Sequence, residues 1–221
     1  MRTTSLLCAA WFAVLIAALA PAQDANAPTP QRPQAPAEEL KGMPPRSAPT
    51  DYQAVAQAGP LSIAADFDGH SVPTADGVYS SDDYVVVEAA VFGPPGEHAT
   101  LSIDNFSLEI NGKKAVPPEH YERVRGSLKD PEWAPPTKSS KPKTSINGGG
   151  EDTSTAPPRM PMDLRVAMEQ HVRAAVMLQG DRALPQAGLL FFPYRGKTQN
   201  IRSLQLLYIG PTGKATLNLQ P

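Results

Sequence analysis

Residues 82–94 read "DDYVVVEAAVFGP". From Tyr84 to Phe92, one set of alternate positions holds Val85, Val87, Ala89 and Val91, and the other holds Tyr84, Val86, Glu88, Ala90 and Phe92. A strand with one wet face alternates apolar and polar residues, whereas a strand covered on both faces is apolar at most positions. This stretch therefore predicts the central strand of a sheet. Asp82 and Asp83 mark the turn leading into it, and "GPPG" at 93–96 stops it.

On either side the period remains two. Upstream, "PLSIAADF" sets Leu61, Ile63, Ala65 and Phe67 against Ser62, Ala64 and Asp66, the pattern of a half-buried strand. Downstream, Leu101 and Ile103 are followed by Phe106, Leu108 and Ile110, then by Asn111-Gly112 and the run Lys113 to Val116. Asn-Gly between alternating runs predicts a hairpin, because a type I′ turn requires positive φ at both central residues. Near the end come "AGLLFFPY", "SLQLLYIG" and "GKATLNLQ", with "GPTG" at 210–213 turning the last two into a second hairpin. About seven short strands with turn signals every 8 to 12 residues or so predict a mainly β chain, an antiparallel sandwich.

The rest of the chain is organised differently. Residues 1–22 carry Arg2 as the one early charge, an apolar run from Leu6 to Ala20, and small residues at Ala20 and Ala22 before Gln23. That is the layout of a secretory signal peptide, and the run is shorter than the roughly 20 residues of a membrane span. The expected mature chain begins at Gln23, is exported to the periplasm or secreted, and keeps no membrane span. Cys8, the only cysteine, lies within this segment, so thiolate metal sites, disulfides and cysteine nucleophiles are not expected after cleavage. Cleavage removes Arg2 and no acid, moving the formal charge from −2 to −3. A weakly acidic surface offers no footprint for nucleic acid.

Many of the 25 prolines fall in two tracts. Residues 23–58 contain seven of them and almost no large apolar side chain, which predicts a disordered, semi-stiff linker. The tract 134–161 mixes Lys, Ser, Pro and three consecutive glycines without periodicity and predicts a flexible insertion in a domain spanning 59–221. After it, "PMDLRVAMEQHVRAAVMLQG" has Pro161 at the expected first helical position and Gly180 at the expected position beyond the end, predicting one amphipathic helix over 162–179.

Together, "DDYVVVEAAVFGP", "FSLEINGKKAVP" and the closing "LPQAGLLFFPYRGKTQNIRSLQLLYIGPTGKATLNLQP" resemble exported bacterial proteins that carry an immunoglobulin-like, telokin-like β-sandwich domain of unknown function. The resemblance covers about residues 60–116 and 183–221. It implies an immunoglobulin-like sandwich and export, and it implies no activity.

Candidate chemistry is sparse. The chain holds no nucleophile elbow, phosphate loop, zincin helix or dinucleotide fingerprint. His70, His98, His120 and His171 lack metal-ligand spacing. Asp66, Asp68, Asp76, Asp82 and Asp83 could offer oxygens to calcium, but the glycine between them comes too early for an EF-hand loop. Met160, Met162, Met168 and His171 are close in sequence and form the candidate soft-metal set. At about 100° per residue, Met168 and His171 share a face with Leu164, Ala167, Val172, Ala174, Ala175 and Leu178, whereas Met162 and Met177 fall on the opposite side with Glu169, Gln170 and Arg173. The helical reading thus favours packing over copper, with Met168 filling a gap in the core. Trp133, set between prolines, is the candidate partner-binding residue, and its alternative role is to cap the open end of the core. No cofactor is implied. The expected protein is a non-catalytic binding or scaffolding module of the cell envelope, meeting an envelope protein or cell-wall component. Its alternative is a periplasmic copper-binding protein.

Overall fold

The apolar run within "DDYVVVEAAVFGP" is strand β5 (Tyr84–Phe92), held inside a four-stranded antiparallel sheet. The computed structural model describes residues 42–133 and 159–221. The sheet runs in the order β1 (Ala54–Ala58), β2 (Leu61–Gly69), β5 and β10 (Gln186–Pro193). A second antiparallel sheet places β11 (Leu204–Gly210) between β12 (Gly213–Leu219) and β7 (Phe106–Ile110). Val85, Val87, Ala89 and Val91 of β5 share one buried cluster with Phe106 and Leu108 of β7, Leu206 and Tyr208 of β11, and Leu217 of β12. The two sheets therefore face each other across this core, and the chain is mainly β.

The other face of β5 is covered as well, which explains its lack of polar alternation. Helix α2 (Met162–Ala175) lays Met168, Val172 and Ala175 against Val86 of β5 and Leu189 and Phe191 of β10. It also meets the hairpin of β3 (Ser71–Thr74) and β4 (Gly77–Ser81), whose third strand is β8 (Leu128–Lys129). Beside that cluster, Ala64, Ala90 and Ala187 lie opposite one another on three neighbouring strands. Their small side chains leave a hollow, and Tyr52 fills it, only 5% exposed and edge-on to Phe92.

Tyr52 arrives on a segment that the sequence did not mark as structured. Met43 bridges Ala187 at the free edge of β10, whereas β1 pairs with β2 at the opposite side of the sheet. Residues 43–53 thus cross the outer face as a strap. The linker expected over 23–58 lies outside the described residues up to residue 41, and from residue 42 the chain belongs to the fold. "AVAQA" carries little hydrophobic signal of its own, and its order comes from pairing with β2. The signal segment 1–22 and the insertion over 134–158 also lie outside the described residues.

Other expectations are corrected too. The described residues hold twelve strands rather than about seven; the additions include β1, the β3–β4 hairpin with β8, and β9 (Gly180–Ala183), which forms a ribbon with β6 (His98–Leu101). A one-turn helix α1 (Tyr121–Val124) precedes β8. Helix α2 stops at Ala175 rather than at 179, because Val176 turns extended and bridges Leu189 in parallel. Pro161 is its N-cap rather than its first helical residue, and the helix begins at Met162. Leu164 is 46% exposed rather than facing the core, so the buried stripe is the narrower set Met168, Val172 and Ala175. Met177 is buried, on extended chain beyond the helix, in the core between the two sheets. Val176, Met43 and Glu119 bridge β10 from three separate segments, which blunts an edge that would otherwise offer unpaired backbone groups. Among the described residues no helix is long and apolar enough to cross a membrane.

Candidate functional site

The two facing sheets leave a groove on the β7 and β10 side. Leu108 and Ile110 of β7 and Val116 form its floor, and Pro193 and Tyr194 at the end of β10 form a wall, around a cavity of about 340 Å³. Lys113 and Lys114 also line it. A second, more open depression of about 540 Å³ is lined by Gln199, Arg202 and Ser203. Asn111 and Asn200 line both.

The geometry of this place starts from Asn111-Gly112. Both residues have positive φ, 55° and 68°, as the hairpin reading requires, and the Lys113 N–H donates to the Ile110 carbonyl at 3.1 Å. The returning chain does not form the expected full strand over Lys113 to Val116. It pairs only at Leu108 and Val116, and Pro117 and Pro118 then end any ladder. This short return closes over Leu108, which is buried, and leaves Val116 half-buried at the groove.

Asn111 also does something the sequence reading missed. Its Oδ1 accepts from the Arg202 and Ser203 backbone N–H groups at 2.6 and 3.2 Å, and its Nδ2 donates to the Asn200 carbonyl at 3.0 Å. Asparagine combines tolerance of positive φ with a donor and an acceptor on one short side chain. One residue therefore shapes the turn and fixes the rim of the neighbouring depression. No local motif announces this role, because the partners lie on a distant loop.

The Tyr194 wall is held in a similar way. Its N–H donates to the Asp83 carbonyl at 2.9 Å, and its ring stacks on His70 at 6.2 Å between centroids. The His70 ring nitrogens lie 2.8 Å from the carbonyl oxygens of Ser81, Tyr84 and Gly196. His70 thus ties the loop after β10 to the start of β5.

The methionine and histidine set divides. Met168 is buried and Met160 packs at the edge of the same cluster, whereas Met162 is 72% exposed. His171 Nδ1 lies 2.8 Å from the Tyr79 hydroxyl, and Nε2 lies 3.8 Å from Asp76 Oδ2, so both nitrogens face oxygen groups. Trp133 is half-buried, its backbone N–H donating to the Asp130 carbonyl at 3.2 Å, at the border of the described residues. The aspartates are spread over separate contacts. Asp82 pairs with Lys129, Asp83 with Arg195 at 2.8 Å, and Asp66 with Arg46. Among the described residues no three His, Cys, Asp or Glu side chains converge as a metal site would need.

Asp66, Asp68 and Glu88 nonetheless form an unusual group beneath the strap. Asp66 and Glu88 are direct cross-strand partners, an arrangement that repels. Arg46 reaches both, at 3.2 Å from Glu88, and its guanidinium sits 4.4 Å over the Tyr52 ring. Partial burial opposes the charge of Arg46, but Glu88 and Asp66 raise its pKa. Asp68 falls at a bulge in β2, and its buried Oδ2 has no hydrogen-bond partner. Burial first, then Glu88 and Asp66, push its carboxyl up to about 7.

The pH dependence follows. In the folded chain Asp68 keeps its proton up to about pH 7, whereas in the unfolded chain it releases it near pH 4. Between these values the folded state binds more protons, so this group's contribution to stability falls as pH rises and levels off above about 7. Solvent screening at a half-buried site reduces the expected loss to about 2 kcal/mol. Urea unfolding of the Asp68→Asn variant at pH 5 and pH 8 should show this difference removed, with the variant the more stable form at pH 8. Equal pH dependence in variant and wild type would show that Asp68 ionises normally.

Comparison of the chain with protein-family models, with curated proteins and with solved structures returns no match.

Proposed function

We propose that this chain is an exported, non-catalytic binding module of the bacterial cell envelope, built as an immunoglobulin-like β-sandwich. The observation that carries the reading is the groove between the sheets, with an apolar floor and polar rim in the manner of ligand sites. Its walls are fixed before any ligand arrives, by the Asn111 contacts on one side and the Tyr194 and His70 stack on the other. Pre-formed walls lower the ordering cost of binding. The partner in this reading is an envelope protein or cell-wall component.

The test places a photoreactive phenylalanine derivative at Gln199, an exposed residue of the rim. Irradiation with envelope fractions should label one defined component. The labelling should disappear when Val116→Trp fills the groove in a variant whose circular dichroism matches the wild type. Absent labelling, or labelling indifferent to Val116→Trp, would overturn the reading.

A further inference from the structure

We propose that the groove takes a free single-chain alkyl carboxylate, with its chain on the apolar floor and its anionic head at the Asn111 and Asn200 junction. This inference rests on the groove being a ligand site and names the ligand's chemistry. Leu108 is fully buried and Ile110 is 7% exposed, so the floor is continuous with the core between the sheets, and Val116 and Tyr194 are half-buried around it. At about 340 Å³ the cavity is near the small end of ligand pockets, which suits one short chain and not the two chains of a bilayer lipid.

Charge supplies the second argument. Lys113 and Lys114 line the apolar groove and Arg202 lines the adjoining depression, while no Asp or Glu lines either. Among the described residues these three side chains have no acidic partner, whereas Arg46, Arg123, Arg125, Lys129, Arg165 and Arg195 are each paired. Among the described residues Arg159, Arg173, Lys197 and Lys214 also show no acidic partner, but they line neither depression. Three unpaired cations around an apolar slot complement one anionic head on one chain. The planar fork of Arg202 matches a carboxylate in particular.

Calorimetric titration of the mature full chain with decanoate, decanol and vesicles containing phosphatidylglycerol tests this. Decanoate should bind saturably, one per chain, at least tenfold more tightly than decanol. The exposed pair Lys113→Ala/Lys114→Ala should weaken decanoate at least tenfold and leave decanol unchanged, and Val116→Trp should abolish both. Equal affinity for decanoate and decanol, or no effect of the lysine pair, overturns recognition of the head. Binding to vesicles without binding of decanoate overturns the free-ligand proposal in favour of a membrane surface. If decanoate fails but photolabelling from Gln199 persists, the ligand class is wrong and the binding module stands. If labelling fails as well, the site itself is refuted.

Discussion

Arg46→Met is expected to destabilise the fold by about 2 kcal/mol, seen as a lower urea midpoint with an unchanged slope. The substitution leaves Glu88, 8% exposed, directly opposite Asp66 with no cation between them. It also removes the Arg46 donor to the Asp51 carbonyl at 2.6 Å and the cation over the Tyr52 ring. Breaking a fully buried ion pair costs about 3 to 5 kcal/mol. Arg46 is 37% exposed, so water screens part of the exposed charge, which lowers the expectation. Arg46→Lys should recover only part of the loss, since one ammonium cannot reproduce the guanidinium's two-sided contacts. Adding Glu88→Leu and Asp66→Asn to Arg46→Met should restore at least half of it, because the uncompensated carboxylates are then gone. A loss below about 0.5 kcal/mol for Arg46→Met would show that the strap is not held by its charges.

Gly188→Ala is expected to cost about 3 kcal/mol or more, from a single methyl group. A Cβ at this position would fall onto the Met177 backbone and lie 2.9 Å from the Val176 carbonyl carbon. The obstacle is main chain, held by the Met177 N–H donating to the Leu189 carbonyl at 3.2 Å, so it cannot swing aside as a side chain would. Glycine in a strand often marks such a close approach. Gly126→Ala, at a position open to solvent, serves as the control and should change stability by less than about 0.5 kcal/mol. Thermal unfolding of both variants is the measurement. Comparable small effects at the two positions would contradict the packing of residues 176–177 on β10.

Both positions lie where the sequence was least informative. Arg46 sits in a proline-rich run whose composition resembles a linker, and its carboxylate partner Glu88 is 42 positions away. Gly188 sits in a run of apolar residues that predicts a strand correctly, but nothing in "AGLLFFPY" says that another segment passes across it. The end of α2 was missed for the same reason. Helical periodicity continues through Leu178, and the pairing of Val176 with Leu189 overrides it.

The groove divides in a comparable way. Asn111-Gly112 was legible as a turn because its backbone demand is met by the two residues themselves. The hydrogen bonds from Asn111 to residues 200–203 were not legible, and neither was the meeting of Leu108 with Tyr194 across the gap between the sheets. Likewise Met160, Met162, Met168 and His171 are close in sequence, but the fold buries Met168, exposes Met162 and turns His171 toward Tyr79 and Asp76.

By itself the sequence determined the period-two strands, the coverage of β5 on both faces and the two tight hairpin turns. Each depends on side-chain alternation or backbone preference within about ten residues, where the chain carries its own instruction. Only the tertiary structure decided the strap, the early end of α2, the burial of Glu88 beneath Arg46 and the groove with its unpaired cations. Those features depend on which distant segments come to lie side by side, and the free energy of that contact outweighs local preference.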